Sequence, residues 1–293
     1  MKNKSKAPLF IALGLVTVGL SFTTVGLIGG GYSQAKELCS SKFSWALNFD
    51  NNIFQINTKS DNRFNFASSD KSQSYNADDI KAIVIDSKTS KVSILKSPGD
   101  DYEITTDDIG VTSWKLNNDT LYIKSDKVKS DNVTLYIPQD AELESVDLDI
   151  GASELYIDTL NTRELDLSLG AGDVIIDHLT SDGRISFEIG AGNCSTNDSH
   201  CKDATLEIGM GHLSYAGTIY GDLDLECGLG DAELNLEDYE DNHNYSIETG
   251  IGKLTIGDKS FNNIGNNFKT DNQSNSDYDI ECGTGNVVVK FEK

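Results

Sequence analysis

The strongest constraint on the fold of this chain is a glycine pattern that returns about every 20 residues, a period typical of stacked repeat proteins. The stretch "LSLGAGDVIID", Leu167 to Asp177, is one copy, in which a Gly-x-Gly joins two stretches of alternating apolar and polar residues. The spacing of the copies is nearly constant over the first five and longer before each of the last two. A unit this short cannot bury its own apolar face, so the copies must stack on one another. The glycines predicted to form the corners of the stack are Gly151, Gly170, Gly172, Gly190, Gly192, Gly209, Gly211, Gly228, Gly230, Gly250, Gly252, Gly283 and Gly285.

The two halves of each copy differ in phase. Positions three and one before the first glycine are mostly apolar, and so are positions four and six after it. The interval between the two sets is odd, so a flat strand would turn one set to solvent. Glycine reaches positive φ without a clash of a Cβ atom, so the Gly-x-Gly is predicted to form a corner or bulge that resets the phase.

The fold class follows from the alternation. Stretches such as "IKAIVIDSKTSKVSIL" and "NVTLYIPQD" have the period of two that is typical of half-buried strands, and no helical period appears after residue 31. We therefore predict an all-β fold, a single-stranded β-solenoid with rungs of about 19–20 residues. A sandwich of ordinary hairpins is the alternative, but it does not explain why equivalent positions hold the same class of residue in seven copies.

The N-terminus has the pattern of a membrane segment. Lys2, Lys4 and Lys6 precede a long run of uncharged and mostly apolar residues, 9–30, and about 20 such residues span a bilayer. The basic flank predicts a cytoplasmic N-terminus and an exported remainder. A cleaved secretory signal, with Ser33 and Ala35 before the cleavage point, is the alternative. The predicted organisation is a basic tail (1–8), a transmembrane helix or uncleaved signal (9–31), a stalk (32–77) and an extracellular solenoid (78–293) in a single-pass protein of the cell membrane.

Charge and motifs exclude several classes of function. The formal net charge of −23 disfavours nucleic acid as a partner. "GAGDVI" has no third glycine and is followed by a strand, so it does not match the dinucleotide fingerprint, and nucleotide binding is not expected. A strongly acidic chain is instead suited to cations or basic partners.

The position two residues before the first glycine is mostly acidic. Stacking would place five glutamates in a stripe, which is the candidate site for weak binding of Ca²⁺ or of a cationic surface on a partner. The sequence lacks the nonapeptide repeat of calcium-binding solenoids. The alternative is a solvated face that prevents aggregation between sheets. The residues of the column are Asp149, Ser168, Glu188, Glu207, Glu226, Glu248 and Glu281.

Five cysteines do not form a disulfide framework. Cys194 occupies an inward column and is predicted to be a small core residue, with a Cys194–Cys201 disulfide as the alternative. Cys227 and Cys282 share a column, but sequential stacking places the rung of Thr249 between them. Two steps of about 4.8 Å exceed the ~7 Å between Cα atoms that a disulfide permits, so no bond between them is expected.

The run "LYIPQDAELESVDLDIGASELYIDTL" (Leu135–Leu160), followed by rungs of the type "LGAGDVIIDHL", resembles a bacterial adhesin-like β-solenoid family of unknown function. The resemblance covers about residues 78–293. It implies a right-handed solenoid at the cell envelope and supplies no catalytic residues. The segment 257–277 departs from the family pattern and is expected to be a loop.

We therefore expect a non-catalytic surface protein without a cofactor. It would present a rigid acidic face to another envelope protein or a cell-wall polymer. A polysaccharide-active enzyme built on a β-helix and a passive spacer are the alternatives.

Overall fold

A computed structural model describes residues 71–108, 112–125, 131–261 and 267–292. The predicted cytoplasmic tail and membrane segment, Cys39 and most of the predicted stalk lie outside these residues. In the part of the chain that is described, no helix is long and apolar enough to cross a membrane. The all-β prediction is confirmed, with two short 3₁₀ helices, Ala77–Asp79 and Glu240–Asn242, as the helical segments seen. The strands are β1 (Ser72–Tyr75), β2 (Ala82–Ser87), β3 (Lys91–Lys96), β4 (Tyr102–Thr106), β5 (Thr112–Asn117), β6 (Thr120–Ser125), β7 (Asn132–Ile137), β8 (Leu143–Ile219), β9 (Leu223–Cys227), β10 (Asp231–Leu236), β11 (Asn244–Thr249), β12 (Lys253–Ile256), β13 (Lys259–Phe261), β14 (Asn267–Lys269), β15 (Asp277–Cys282) and β16 (Asn286–Phe291).

The long strand β8 winds around an axis and stacks on itself. A straight strand of 77 residues would be about 250 Å long. Its glycines instead lie over one another, because an added Cβ on Gly170, Gly190 or Gly209 would meet the backbone carbonyl of the glycine one turn earlier at 2.5 to 2.7 Å. Each turn is called a rung below.

The rungs at the C-terminal end are not stacked in sequence order. β15 pairs in parallel with both β9 and β11, and β16 pairs in parallel with both β10 and β12. The last rung of the chain, β15/β16, is therefore inserted between the rungs β9/β10 and β11/β12. The sequential order expected from the repeat is wrong here, because identical column patterns allow any rung to stack on any other.

The N-terminal end shows the same arrangement. β2 pairs in parallel with both β6 and the first turn of β8, and β3 does so with β7 and β8. The rung β2/β3 is thus enclosed between β6/β7 and β8, although it comes first in the sequence.

Antiparallel strands cover both ends of the stack. β5 pairs with β6, β4 with β7 and β1 with β4 at one end. At the other end β14 pairs with β11 and β13 with β12. The segment 257–277, expected to be a loop, therefore contains two of the covering strands. Such strands use the hydrogen-bonding groups that an open parallel edge would offer to another chain.

The inward side chains of successive rungs form one continuous core. The column three residues before the first glycine is buried in every rung, and burial of each such side chain contributes about 1.5–3 kcal/mol. Because alternate residues point inward, the remaining residues of each strand form fixed outward columns. The members of this inward column are Leu148, Leu167, Phe187, Leu206, Leu225, Ile280 and Ile247.

Candidate functional site

Five glutamates form an outward row, the acidic column, on one side of the stack. Glu207 lies opposite Glu226, Glu226 opposite Glu281, and Glu281 opposite Glu248. Glu188 comes next at the other end, close enough to raise the pKa of Glu207. Neighbouring rungs are about 4.8 Å apart, so the carboxylates repeat at that spacing. The order along the stack is therefore Glu188, Glu207, Glu226, Glu281 and Glu248. Glu281 comes last of the five in the sequence but lies between Glu226 and Glu248 in space.

A second acidic row runs beside the C-terminal half of the acidic column. Asp224 lies opposite Asp279, two residues before the glutamates of the same strands. These aspartates border a depression of about 380 Å³ on the surface of the stack. The side of the protein that carries the acidic column therefore has carboxylates in two adjacent columns. The residues that line the depression are Asp203, Ala204, Thr205, Asp222, Leu223, Asp224, Asp277 and Asp279.

Three glutamates of the acidic column, Glu207, Glu226 and Glu281, have raised pKa values. Desolvation, and after it the charges of Glu226, Glu248 and Asp279, raise the pKa of Glu281 to about 7. Desolvation and neighbouring carboxylates also raise the pKa values of Glu207 and Glu226. A protein does not need such repulsion to fold, so a row of this kind is a candidate for a site that receives positive charge from outside.

Few cations of the protein itself lie near this row. Among the described residues, no lysine or arginine forms an ion pair with Glu188, Glu207, Glu226 or Glu281. Two ion pairs on this side lie towards its N-terminal end, those of Arg184 with Asp166 at 3.3 Å and of Lys124 with Asp86 at 3.5 Å. Lys202 pairs at 3.3 Å with Asp203, which borders the depression.

Asp149, the first member of the predicted column, lies at that N-terminal end beside Asp86. Its pKa is raised to about 6, first by desolvation and then by the charge of Asp86. Ser168 follows it and carries no charge, so Asp149 is separated from the five glutamates. The predicted column of seven residues is thus an acidic column of five with a break at Ser168.

The strands on the other side of the corner differ. There Lys91 pairs with Glu154 at 2.8 Å and Lys290 with Glu233 at 2.5 Å. The hydroxyl of Tyr156 donates a hydrogen bond of 2.6 Å to Asp177. These three carboxylates are thus compensated within the protein, whereas Glu188, Glu207, Glu226 and Glu281 form no ion pair with a described lysine or arginine.

No metal cage is present in the part of the chain that the structure describes, where no group of three or more His, Cys, Asp or Glu side chains is arranged to hold an ion. The acidic column is a linear array with one carboxylate per rung. The calcium hypothesis therefore concerns loosely held ions along the row.

Glycine is required at the two corner positions for two different structural reasons. Gly172, Gly192 and Gly211 have φ values of 137°, 157° and 136°, which favour glycine. The first glycine of each corner does not have positive φ, and it is required by close stacking. On Gly283, for example, a Cβ would approach the carbonyl oxygen of Gly228 to 2.7 Å. Positive φ, the reason given by the sequence pattern, thus applies to the second glycine of three rungs.

An apolar edge borders the acidic column, and the sequence analysis did not identify it. The residue between the two corner glycines points outward, so Leu229 is 40% exposed and Ile251 is 72% exposed. The backbone N–H of Thr284 bonds to Gly228 and that of Ile251 to Gly283, which places Thr284 between the two apolar side chains. The middle residues of the Gly-x-Gly corners, taken in their order along the stack, could have predicted this edge.

The four cysteines of the described residues are buried thiols. Cys194 lies in the core, and the Cys201 thiol lies 3.5 Å from the hydroxyl of Tyr215. Cys227 and Cys282 are direct neighbours in the parallel pair β9 and β15. The rung of Thr249 was expected to lie between the two cysteines, but it lies on the far side of β15. The separation of two rungs predicted for Cys227 and Cys282 is therefore wrong.

A buried Ser–His–Asp group near the C-terminal end was also not predicted from the sequence. Nδ1 of His243 lies 2.7 Å from Oγ of Ser276, and its Nε2 lies 3.3 Å from a carboxylate oxygen of Asp238. The Ser276 hydroxyl donates to the carbonyl of Gly221, so it accepts its bond from His243 and has no proton to give to the imidazole. The ring of His243 stacks on Tyr278 with 4.0 Å between ring centroids. The group is therefore a structural connection that fixes the entry into β15.

Comparison with known proteins places the fold. A family model described as Toastrack DUF4097 matches residues 80–280. A search of curated proteins finds no match.

Solved structures of bacterial proteins match this chain at low sequence identity. A putative adhesin from Parabacteroides distasonis is 15% identical, with 74% of this chain and 95% of that chain covered and a TM-score of 0.41. A putative cell adhesion protein from Clostridium sporogenes is 11% identical, with coverages of 76% and 99% and a TM-score of 0.31. A putative lipid binding protein from Parabacteroides distasonis is 14% identical, with coverages of 74% and 95% and a TM-score of 0.27.

Proposed function

Given that this chain belongs to the Toastrack DUF4097 family, defined by a domain of unknown function in bacterial proteins, we propose from its geometry that it is a non-catalytic binding protein of the bacterial cell envelope. In this proposal the stack is a right-handed β-solenoid held outside the cell by the apolar segment 9–31. The acidic column and the apolar edge beside it form the binding surface.

One observation supports the proposal: Glu188, Glu207, Glu226 and Glu281 form no ion pair with a lysine or arginine of the described residues, and the carboxylates of the acidic column repeat at one spacing. A catalytic site needs a few different groups that converge on one reacting atom. The acidic column instead offers the same group at steps of about 4.8 Å along a rigid stack. This arrangement suits a partner whose positive charges also repeat, such as an extended basic segment of an envelope protein or a polymer that carries amino groups.

The apolar edge narrows the chemistry of the partner. Leu229 and Ile251 are exposed within the same rungs that carry Glu226 and Glu248. Apolar contact and charge pairing would therefore be available to one ligand side by side. We expect a partner with both basic and apolar groups to bind more tightly than a simple cation, because it gains from both interactions.

Retention on cell envelopes tests the proposal. Full-length protein, reconstituted in uncharged lipid vesicles, is incubated with isolated bacterial envelope fractions, and bound protein is measured against its concentration. Saturable retention that falls at high salt is expected. A variant with Glu207→Gln, Glu226→Gln and Glu281→Gln should lose most of the retention.

A matched variant separates the acidic column from total charge. Asp140, Glu142 and Glu237 are exposed carboxylates outside the column, so Asp140→Asn, Glu142→Gln and Glu237→Gln remove the same charge elsewhere. This variant should bind as the wild type does. Equal losses in both variants would refute a specific acidic site, and absence of saturable retention in the wild type would favour a passive spacer.

A further inference from the structure

Cys227 and Cys282 are neighbours in space because the last rung of the chain is inserted out of order. They occupy equivalent positions of β9 and β15, which are parallel and in register. The backbone N–H of Gly283 donates a 2.7 Å hydrogen bond to the carbonyl of Cys227, which fixes this register beside the two cysteines.

The separation of the two residues is within the range of a disulfide. Adjacent strands are about 4.8 Å apart, and disulfide-linked Cα atoms are usually about 4.4–6.8 Å apart. Both side chains point inward from the same column, and each is 2% exposed. The neighbouring Cys282 thiol and burial both raise the pKa of Cys227. The two side chains therefore lie next to each other in one inward column.

Each thiol has a weak hydrogen-bond partner that a disulfide would replace. Sγ of Cys227 donates to the carbonyl of Gly230 at 3.0 Å, and Sγ of Cys282 donates to that of Gly285 at 3.1 Å. Thiols are weak donors, so losing these bonds costs little. The carbonyl of Gly285 keeps a hydrogen bond from the N–H of Lys253.

We propose that Cys227 and Cys282 are the site of an intramolecular disulfide that fastens the inserted last rung to the stack. The bond forms between the two Sγ atoms. The two S–H bonds and the S–S bond of an external disulfide of the glutathione type break, and the two protons and two electrons pass to that disulfide, which is reduced to two thiols. Because both thiols are buried, the exchange occurs during folding or when β15 opens.

The cross-link would close a covalent loop around the C-terminal end of the stack. The residues between the two cysteines include β10, the outermost rung β11/β12, and the covering strands β13 and β14. Separation of β15 from β9 would then require reduction of the bond. Oxidised protein should accordingly keep this end of the stack closed under conditions where reduced protein opens.

Peptide mapping tests the site directly, because trypsin places Cys227 and Cys282 in different peptides. Cys194 and Cys201 fall in one tryptic peptide, 185–202, Cys227 falls in 203–253, and Cys282 falls in 270–290. Full-length protein is refolded in an oxidised and reduced glutathione buffer, quenched with acid, alkylated and digested without reduction. We expect peptides 203–253 and 270–290 to be joined, with the link lost after reduction.

Thermal unfolding supplies an independent readout. Oxidised wild-type protein should unfold about 5–10 °C above the reduced protein. The difference should vanish in Cys282→Ala and in Cys227→Ala, and persist in the matched control Cys194→Ala. Two free thiols at positions 227 and 282 after oxidation, a link confined to peptide 185–202, or equal unfolding temperatures in both redox states would overturn the proposal.

Discussion

Glu226 lies directly opposite Glu281 on neighbouring parallel strands, although the two residues are far apart in the sequence. Like charges in this position oppose each other, and the folded protein lessens the repulsion by holding protons. The stability of the protein should therefore respond to the protonation of this pair.

Stability should fall as the pH rises through the range in which Glu281 ionises. Its pKa is raised from 4.5 to about 7 in the folded chain, so the folded state binds the proton more tightly than the unfolded state does. The stabilisation is complete below about pH 4.5 and is lost as the pH rises through 7. Glu281→Gln should raise the free energy of unfolding by about 1 kcal/mol at pH 8, after allowance for solvent screening, and leave it unchanged at pH 4.

Urea unfolding at the two pH values measures this effect. Glu237→Gln removes the same charge outside the acidic column and should change stability little at either pH. Equal stabilisation by Glu281→Gln at pH 4 and pH 8 would contradict the assignment of the shift to this carboxyl.

Salt should stabilise the wild-type protein through the same repulsion. Between about 0.01 M and about 1 M ionic strength the Debye length falls from about 30 Å to about 3 Å, which is shorter than the spacing of the column. The unfolding temperature should therefore rise with NaCl, and rise less in the variant with Glu207→Gln, Glu226→Gln and Glu281→Gln. A salt response that is the same in both proteins would place its origin elsewhere.

Calcium should add to this effect if ions collect along the acidic column. At matched ionic strength, millimolar Ca²⁺ should raise the unfolding temperature of the wild type relative to a chelator, and the triple variant should not respond. An unfolding temperature that is the same with Ca²⁺ and with chelator would end the calcium hypothesis.

Gly192 should tolerate no side chain. It has positive φ, and an added Cβ would lie 1.8 Å from the carbonyl oxygen of Gly172 in the rung below. Gly192→Ala must therefore push two rungs apart, and we expect a loss of about 3 kcal/mol or more. Gly99→Ala is the matched control, because nothing lies within 4 Å of an added Cβ there, and it should be nearly neutral in urea unfolding.

Asp131 should be needed to hold the N-terminal end together. This buried carboxylate accepts a hydrogen bond of 2.7 Å from the hydroxyl of Thr112, one from the hydroxyl of Thr106, and one of 3.1 Å from the N–H of Asp108. Asp131→Ala would leave these donors without their acceptor, at a cost of about 2–4 kcal/mol. Asp140→Ala, at an exposed position, should change the free energy of unfolding by less than about 0.5 kcal/mol.

The local structure of a rung could be predicted from the sequence, and the order of the rungs could not. Alternation fixes which side chains point inward, as Leu206, Leu225 and Ile280 show, because strand geometry permits only two faces. Stacking order depends on the connections between rungs, which here let the chain form the outermost rung β11/β12 before it returns to form the inner rung β15/β16. Column patterns that are the same in every rung carry no information about that choice.

The difference between local structure and stacking order also explains which predictions about the site were wrong. The acidic column was visible because it needs only the phase of the strands, whereas its order and the proximity of Cys227 to Cys282 needed the position of β15. The hydrogen bond of His243 with Ser276 and its contact with Asp238 join residues that follow no repeat, so no periodic pattern predicts them.

The enclosed first and last rungs also limit how proteins of this architecture can change length. At the N-terminal end the covering strands β4 and β5 precede the outermost rung β6/β7, and the chain then enters the interior as β8. At the other end the covering strands β13 and β14 follow the outermost rung β11/β12, and the chain then enters the interior as β15. A repeat appended before β2 or after β16 would have no vacant neighbour to pair with. A copied rung can instead enter the interior of the stack, for example between two turns of β8, without disturbing either end.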